Sequence, residues 1–332
     1  MNQATQKHPK ALYLLFFTEM WERFSYYGMR ALLVLYLVSE VGKGGLGWTS
    51  AQAGHLYGLY TGFVYVTPLI GGYLADKFLG FRYAVMTGAA LMALGHGALA
   101  IESMPTFYLG LILLVIGNGF FKPNISSMVG QLYPKGSPLK DSGYTIFYMG
   151  INIGAFFGIL ICGYLGEKIG WHYGFGAACI GMSFGLVLFY SLQYMLGEVG
   201  LKPVKVDKLL EAQPLTQADR ERLYVLFVLA FFSMVFWLAF EQAGSSMNIF
   251  ALNYTDRYLE WLDFEVPASW FQTVNAFFIF TLAPLFSILW IKLENMNKNP
   301  NAPIKFALGL FLLGLGFLVL VIGAANIPKG AE

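Results

Sequence analysis

Nine stretches of this chain are long and apolar enough to cross a membrane, and that pattern constrains the fold more than any single residue. A hydrocarbon core about 30 Å thick needs about 20 residues at 1.5 Å rise. The stretches are Ala11–Leu37, Ala53–Ala75, Tyr83–Ile101, Thr106–Met128, Gly143–Leu165, Tyr173–Leu196, Leu223–Leu252, Ser269–Ile291 and Ile304–Ala325. Most are rich in Gly and Ala, which suits close helix–helix contact in lipid. The first is too long and too charged to be a cleavable signal peptide.

Composition removes the competing classes. The 332 residues are 57% apolar and 12% charged, about half the charge of a soluble domain. Lys and Arg number 21 against 19 acids, with no basic tract, so no nucleic-acid partner is expected. Cys162 and Cys179 are too few for a disulfide framework or a Cys-based zinc site. His8, His55, His96 and His172 show no metal-ligand spacing, and no Gly-Lys-Ser/Thr phosphate loop is present. The reading is a carrier rather than an enzyme, with no cofactor and an ion gradient as its energy source.

Orientation follows from the basic residues. With a cytoplasmic N-terminus, the inside segments hold Lys7, Lys10, Lys77, Arg82, Lys135, Lys140, Lys202, Lys205, Lys208, Arg220, Arg222, Lys292, Lys298 and Lys305. The outside segments hold only Lys43, Lys168, Arg257 and Lys329. That asymmetry puts the N-terminus inside, and the expected location is the cell (inner, cytoplasmic) membrane. The polar linker divides six spans from three. The predicted organisation is a six-helix bundle over 1–197, a cytoplasmic linker over 198–222 and an incomplete three-helix bundle over 223–332. Transporter folds commonly repeat triplets of helices. Nine spans are three triplets, so a C-terminally truncated transporter of twelve helices is expected, ending outside at Pro328–Glu332.

The charges inside the spans carry the chemistry. One such charge near the bilayer centre costs about 2.5–3.5 kcal/mol. The first span carries Glu19, Glu22, Arg23 and Arg30, in one helical stripe with Tyr26 and Tyr27. Lys122 precedes Pro123 in the fourth span, and Glu241 lies deep in the seventh. Asn152 and Asn275 are lone amides in the fifth and eighth. A single intramembrane amide can serve helix packing alone, and a buried ion pair can do the same. Three acids and three bases over three helices exceed what packing needs. A carboxylate whose proton affinity changes as Lys or Arg approaches is a proton carrier, so proton coupling is the physical expectation.

The same residues resemble a known family. Glu19-Met-Trp-Glu22-Arg23-Phe24-Ser-Tyr26-Tyr27-Gly28 is similar to the Glu-x-x-Glu-Arg-Phe motif of proton-coupled oligopeptide transporters. Phe147-Tyr148-Met-Gly-Ile151-Asn152-Ile-Gly154 resembles their Phe-Tyr-x-x-Ile-Asn-x-Gly motif. Gly117-Asn-Gly119-Phe-Phe-Lys122-Pro123-Asn124 and Phe236-Trp237-Leu-Ala-Phe-Glu241-Gln242 resemble their Lys-Pro and Trp/Glu segments. Gly72-Tyr-Leu74-Ala75-Asp76-Lys77-Phe-Leu-Gly80-Phe-Arg82 resembles the loop shared by the major facilitator superfamily.

The resemblance implies an all-α membrane protein of that superfamily, with nine of twelve transmembrane helices. It implies import of di- and tripeptides with protons as the coupling ion, by alternating access, with the lipid bilayer as surroundings and a monomer as the working unit. It gives Glu19, Glu22, Arg23 and Lys122 the proton coupling. Arg23, Tyr27 and Lys122 would receive the peptide carboxy terminus, and Asn152 and Asn275 the backbone and amino terminus. Tyr26, Tyr65 and Trp237 would wall the pocket, while Arg30, also at the substrate site, pairs with Glu241 as a gate. The family's tenth helix supplies a glutamate for the peptide amino group, for which this sequence has no counterpart. The linker is also too short for the two extra helices that many bacterial members carry, at about 20 residues each. The alternatives are a relative that carries nitrate or another small anion, and a fragment that transports nothing.

Overall fold

The apolar stretches become helices whose ends reach into the polar flanks. A computed structural model describes residues 7–201 and 216–325; the middle of the linker and Pro328–Glu332 lie outside them. The helices are α1 (Lys10–Val38), α2 (Ser50–Leu74), α3 (Phe81–Leu99), α4 (Met104–Gln131), α5 (Leu139–Tyr164) and α6 (Trp171–Leu192). After the linker come α7 (Gln217–Phe240), α8 (Ser246–Tyr254), α9 (Thr273–Asn295) and α10 (Ala302–Ala325). Caps explain the early starts. Thr49 and Gln52 close a capping box on α2, and Thr216 and Asp219 one on α7.

One expectation needs correction. The seventh stretch is two helices, because a 3-10 turn at Glu241–Gly244 ends α7 before α8 begins. Gly244 and Ser245 hold helix weakly, and Ser245 has φ −124° and ψ −98°, far from helical. Among the helices lies one short hairpin, in which β1 (Tyr258–Leu259) pairs antiparallel with β2 (Phe264–Glu265). Asp263 closes that hairpin with φ 48° and accepts a hydrogen bond from the Tyr258 hydroxyl, as Asp does in turns.

The described chain packs as two units, Met1–Val204 with Arg257–Phe280, and Lys205–Asp256 with Thr281–Glu332. In the second, α7 packs on α10, and the Lys305 ammonium lies 4.4 Å from the Trp290 ring centre. In the first, α1 is the central helix, flanked mainly by α5 and α6. Its run Leu32-Leu33-Val34-Leu35 is fully buried, as befits a helix enclosed on all sides. Among the described residues, six helical spans combine the length and apolarity of a membrane crossing with few charges: Met104–Gln131, Leu139–Ile169, Trp171–Leu196, Gln217–Tyr254, Ala268–Asn295 and Ala302–Ala325. The charged α1 falls outside that set, with α2 and α3, and its enclosure by neighbours is what makes its charges tolerable.

Glycines set how closely α1 is enclosed. Gly150, Gly154 and Gly158, spaced by four, form one face of α5 against α1. A Cβ on Gly154 would run into the Met20 carbonyl oxygen and lie 3.0 Å from Arg23 Cβ. One on Gly158 would strike the Phe24 carbonyl. The backbones meet because nothing stands between them.

The stretch Arg257–Phe280 belongs to the first unit through polar contacts at the α5–α6 turn. Glu167 accepts hydrogen bonds from the Ala268 and Ser269 amides, at 2.7 and 2.9 Å, at the 3-10 turn that leads into α9. Lys168 pairs with Glu265 at 2.9 Å, and Arg257 reaches the same carboxylate at 2.8 Å. The Trp270 indole donates to the Leu160 carbonyl at 3.0 Å. The Lys168 hydrogen bond, with Arg257 beside it, holds the Glu265 carboxyl below its usual 4.5. A depressed folded value means that the stability it contributes is present above 4.5 and lost as pH falls through the folded value. Glu265 is half exposed, so the effect stays below about 1 kcal/mol. Between pH 6 and pH 4 the melting temperature of the detergent-solubilised protein should fall less in Glu265→Gln than in the wild type. Equal falls would count against the pairing.

Candidate functional site

The intramembrane charges of α1 meet inside the first unit. Arg23 Nε lies 2.9 Å from Glu19 Oε1 and 2.5 Å from Glu22 Oε2. All three side chains are almost wholly buried, Glu22 completely. The i,i+4 spacing of Glu19 and Arg23 sets the first contact, and the second uses the adjacent residue. Removing one acid would leave Arg23 the other as its pair; removing both would strand a buried cation, a change that costs about 3–5 kcal/mol in typical buried pairs.

Aromatic rings line the cations. The Arg23 guanidinium carbon lies 5.5 Å from the Tyr26 ring centre and 5.9 Å from that of Tyr27. Arg30, also buried, lies 5.5 Å from Tyr27 and 6.0 Å from Tyr57 on α2. Such contacts contribute about 0.5–2 kcal/mol each. Lys122, on α4, places its ammonium 4.9 Å from the Tyr65 ring of α2 and acts electrostatically on both Glu19 and Glu22. Its segment is fixed by close α2–α4 packing: Gly71 backs onto the Gly119 carbonyl, and the Asn124 amide, which donates to the Phe120 carbonyl of its own helix at 2.7 Å, lies 3.5 Å from the Gly71 carbonyl of α2.

Glu19, Glu22, Arg23, Tyr26, Tyr27, Arg30, Tyr65 and Lys122 therefore gather around α1, α2 and α4. Asn152 is buried on α5, two residues before Gly154, but its amide nitrogen donates to the Tyr148 carbonyl one turn back, at 2.9 Å. Asn275 is exposed near the start of α9 and, among the described residues, makes no polar contact with the α1 charges. Trp237 and Glu241 belong to the second unit. Trp237 packs edge-on against Phe236 and Phe240, and Glu241 opens the turn after α7. Sequence reasoning missed Tyr57, Tyr60 and Asn118. Asn118 stands four residues before Lys122, a spacing that puts both on one side of α4.

Comparison with known proteins identifies the family. The family model described as the POT family matches residues 82–214 and 201–331. The chain is 36% identical to the peptide transporter YePEPT of Yersinia enterocolitica, over 96% of this chain and 75% of that one. It is 32% identical to a di-/tripeptide transporter of Lactococcus lactis, over 97% and 77%. Among solved structures, it resembles a peptide transporter POT in complex with sulfate, with a TM-score of 0.81 and 35% identity over 96% and 76%. It also resembles a POT family transporter in complex with a thioalcohol-conjugated peptide, with a TM-score of 0.89 and 29% identity over 98% and 78%. The chain thus spans about three quarters of the length of these relatives. Helices that match theirs, wrapped around a charged first helix, make this chain a multi-pass membrane protein that belongs to the POT family of transporters.

Proposed function

We propose that this chain is a proton-coupled symporter that imports di- and tripeptides by alternating access. It works as a monomer in the cell membrane, with its N-terminus in the cytoplasm. The observation that carries this reading is Arg23 held between Glu19 and Glu22 inside the first unit, with Lys122 acting on both acids. While both carboxylates are ionised they occupy Arg23. Protonation of one neutralises it and releases the guanidinium, whose planar fork then suits a peptide carboxylate. Loading of the proton and of the peptide is thereby linked.

Charge arithmetic in the cluster on α1 and α4 favours an anionic end of the substrate. Arg23, Arg30 and Lys122 stand against Glu19 and Glu22, three positive charges against two negative. Tyr26, Tyr27 and Tyr65 give the apolar walls that a peptide body needs, while Asn152 and Asn275 serve its backbone and amino terminus. Trp237 as a wall residue and Arg30 and Glu241 as gate residues are part of the same proposal. The names of the similar proteins favour peptides over nitrate as cargo.

The test is uptake of radiolabelled dialanine into proteoliposomes under an outside-acid, inside-negative gradient. Gradient-driven accumulation is expected, competed by other dipeptides and not by nitrate. Lys122→Ala should abolish it, because the site loses the cation that acts on both carboxylates. Undiminished accumulation in that variant would remove the lysine from the mechanism.

A further inference from the structure

Glu22 has a partner from a second helix. Its Oε2 faces Arg23, while its Oε1 faces the side-chain amide of Asn118 on α4, with Asn118 Nδ2 at 3.5 Å. Asn118 is 1% exposed, and its Oδ1 is buried with no hydrogen-bond partner among the described residues. The charged and titratable groups facing Glu22 are Glu19 and Arg23 on α1, Lys122 on α4 and Tyr60 on α2. From α5 and α6, glycines pack against α1, with Met182 beneath Ser25.

Arginine and lysine can only donate, so they serve Glu22 only while it is a carboxylate. An amide has both functions at one site. Its NH₂ donates to the carboxylate, and a half-turn about the Cβ–Cγ bond presents Oδ1 to accept the O–H of the carboxylic acid. In a site without bulk water, an acid that must exist in both forms needs a neighbour able to satisfy both, because an unmet buried O–H is costly. A buried amide with a donor already directed at Glu22 and an unused acceptor meets that requirement.

We infer that Asn118 is a positioning residue that partners Glu22 in both of its protonation states and sets the pH at which Glu22 takes up its proton. This rests on the proton-coupled reading above for its role in transport, but not for its test. The alternative is an amide that only helps α4 pack against α1. Packing alone predicts lower stability or yield with an unchanged pH response.

The experiment is an infrared pH titration of the full chain in lipid films, following the carboxylic acid C=O band that disappears in Glu22→Gln. In Asn118→Leu, of similar size but without donor or acceptor, the carboxylate loses its amide donor. The midpoint of that band should rise by about one pH unit, roughly tenfold in proton concentration, and the band should move to the higher frequency of a less hydrogen-bonded acid. Asn118→Asp keeps the size and polarity, and should also raise the midpoint by placing a second acid beside the first. A wild-type midpoint and frequency in the folded variants would overturn the inference, whatever their uptake. Dialanine uptake by the wild type, measured in parallel, tests the transport reading separately. Its absence would sink that reading and leave the titration to decide Asn118.

Discussion

Replacing Glu22 by glutamine should reduce gradient-driven dialanine accumulation to the level of protein-free vesicles, while exchange of dialanine across the membrane at equal pH continues. Glutamine has nearly the shape of glutamate, so the packing around a fully buried position should survive. What it lacks is a carboxylate to hold Arg23 at 2.5 Å and a site that can carry a proton. Arg23 then keeps Glu19 as its pair on α1 and is partly released without any proton having bound. The carrier resembles the protonated state permanently: it still binds and exchanges peptide, but cannot draw on the gradient. Accumulation in this variant equal to the wild type would remove Glu22 from coupling. Loss of both accumulation and exchange would point to a binding or folding defect instead.

What the sequence made legible follows from how local each signal was. Helices could be read because apolarity is summed over about 20 residues, and the α1 charges stood out against that background. The stop at Phe240 was not legible, since Glu241-Gln242-Ala243-Gly244 is a brief polar interval inside an apolar run. The β1–β2 hairpin escaped for the same reason, with two residues in each strand. Partners distant in the chain were hidden altogether. Glu167 caps a turn about a hundred residues later, and Asn118 meets Glu22 across nearly as long a gap. The α1 stripe predicted that Glu19, Glu22 and Arg23 share a face, and the geometry agrees, because their spacing on one helix leaves little freedom. Asn152 is legible as a lone intramembrane amide, but not that one of its two N–H donors goes to the Tyr148 carbonyl of its own helix.

Gly154→Leu should be among the most damaging single substitutions in the first unit outside the charged set. Its Cβ position is occupied by the Met20 carbonyl oxygen, a backbone atom of the central helix, and not by a side chain that could swing away. Overpacking of a core typically costs about 1–3 kcal/mol. At about 2–4 °C per kcal/mol for a unit of this size, the melting temperature should fall by about 2–12 °C. Moving α1 away from α5 also moves Arg23, whose Cβ would lie 3.0 Å from the new Cβ. Dialanine uptake should therefore fall even in the fraction that remains folded. Gly176→Leu on α6 is the control, because nothing lies within 4 Å of a Cβ placed there. If both variants melt and transport like the wild type, α1 and α5 do not approach backbone to backbone, and the support beneath Arg23 must come from elsewhere. If Gly154→Leu alone loses stability and uptake together, the glycine face of α5 holds the charged stripe of α1 in its working position, and the close packing of two helices becomes a condition for moving a proton.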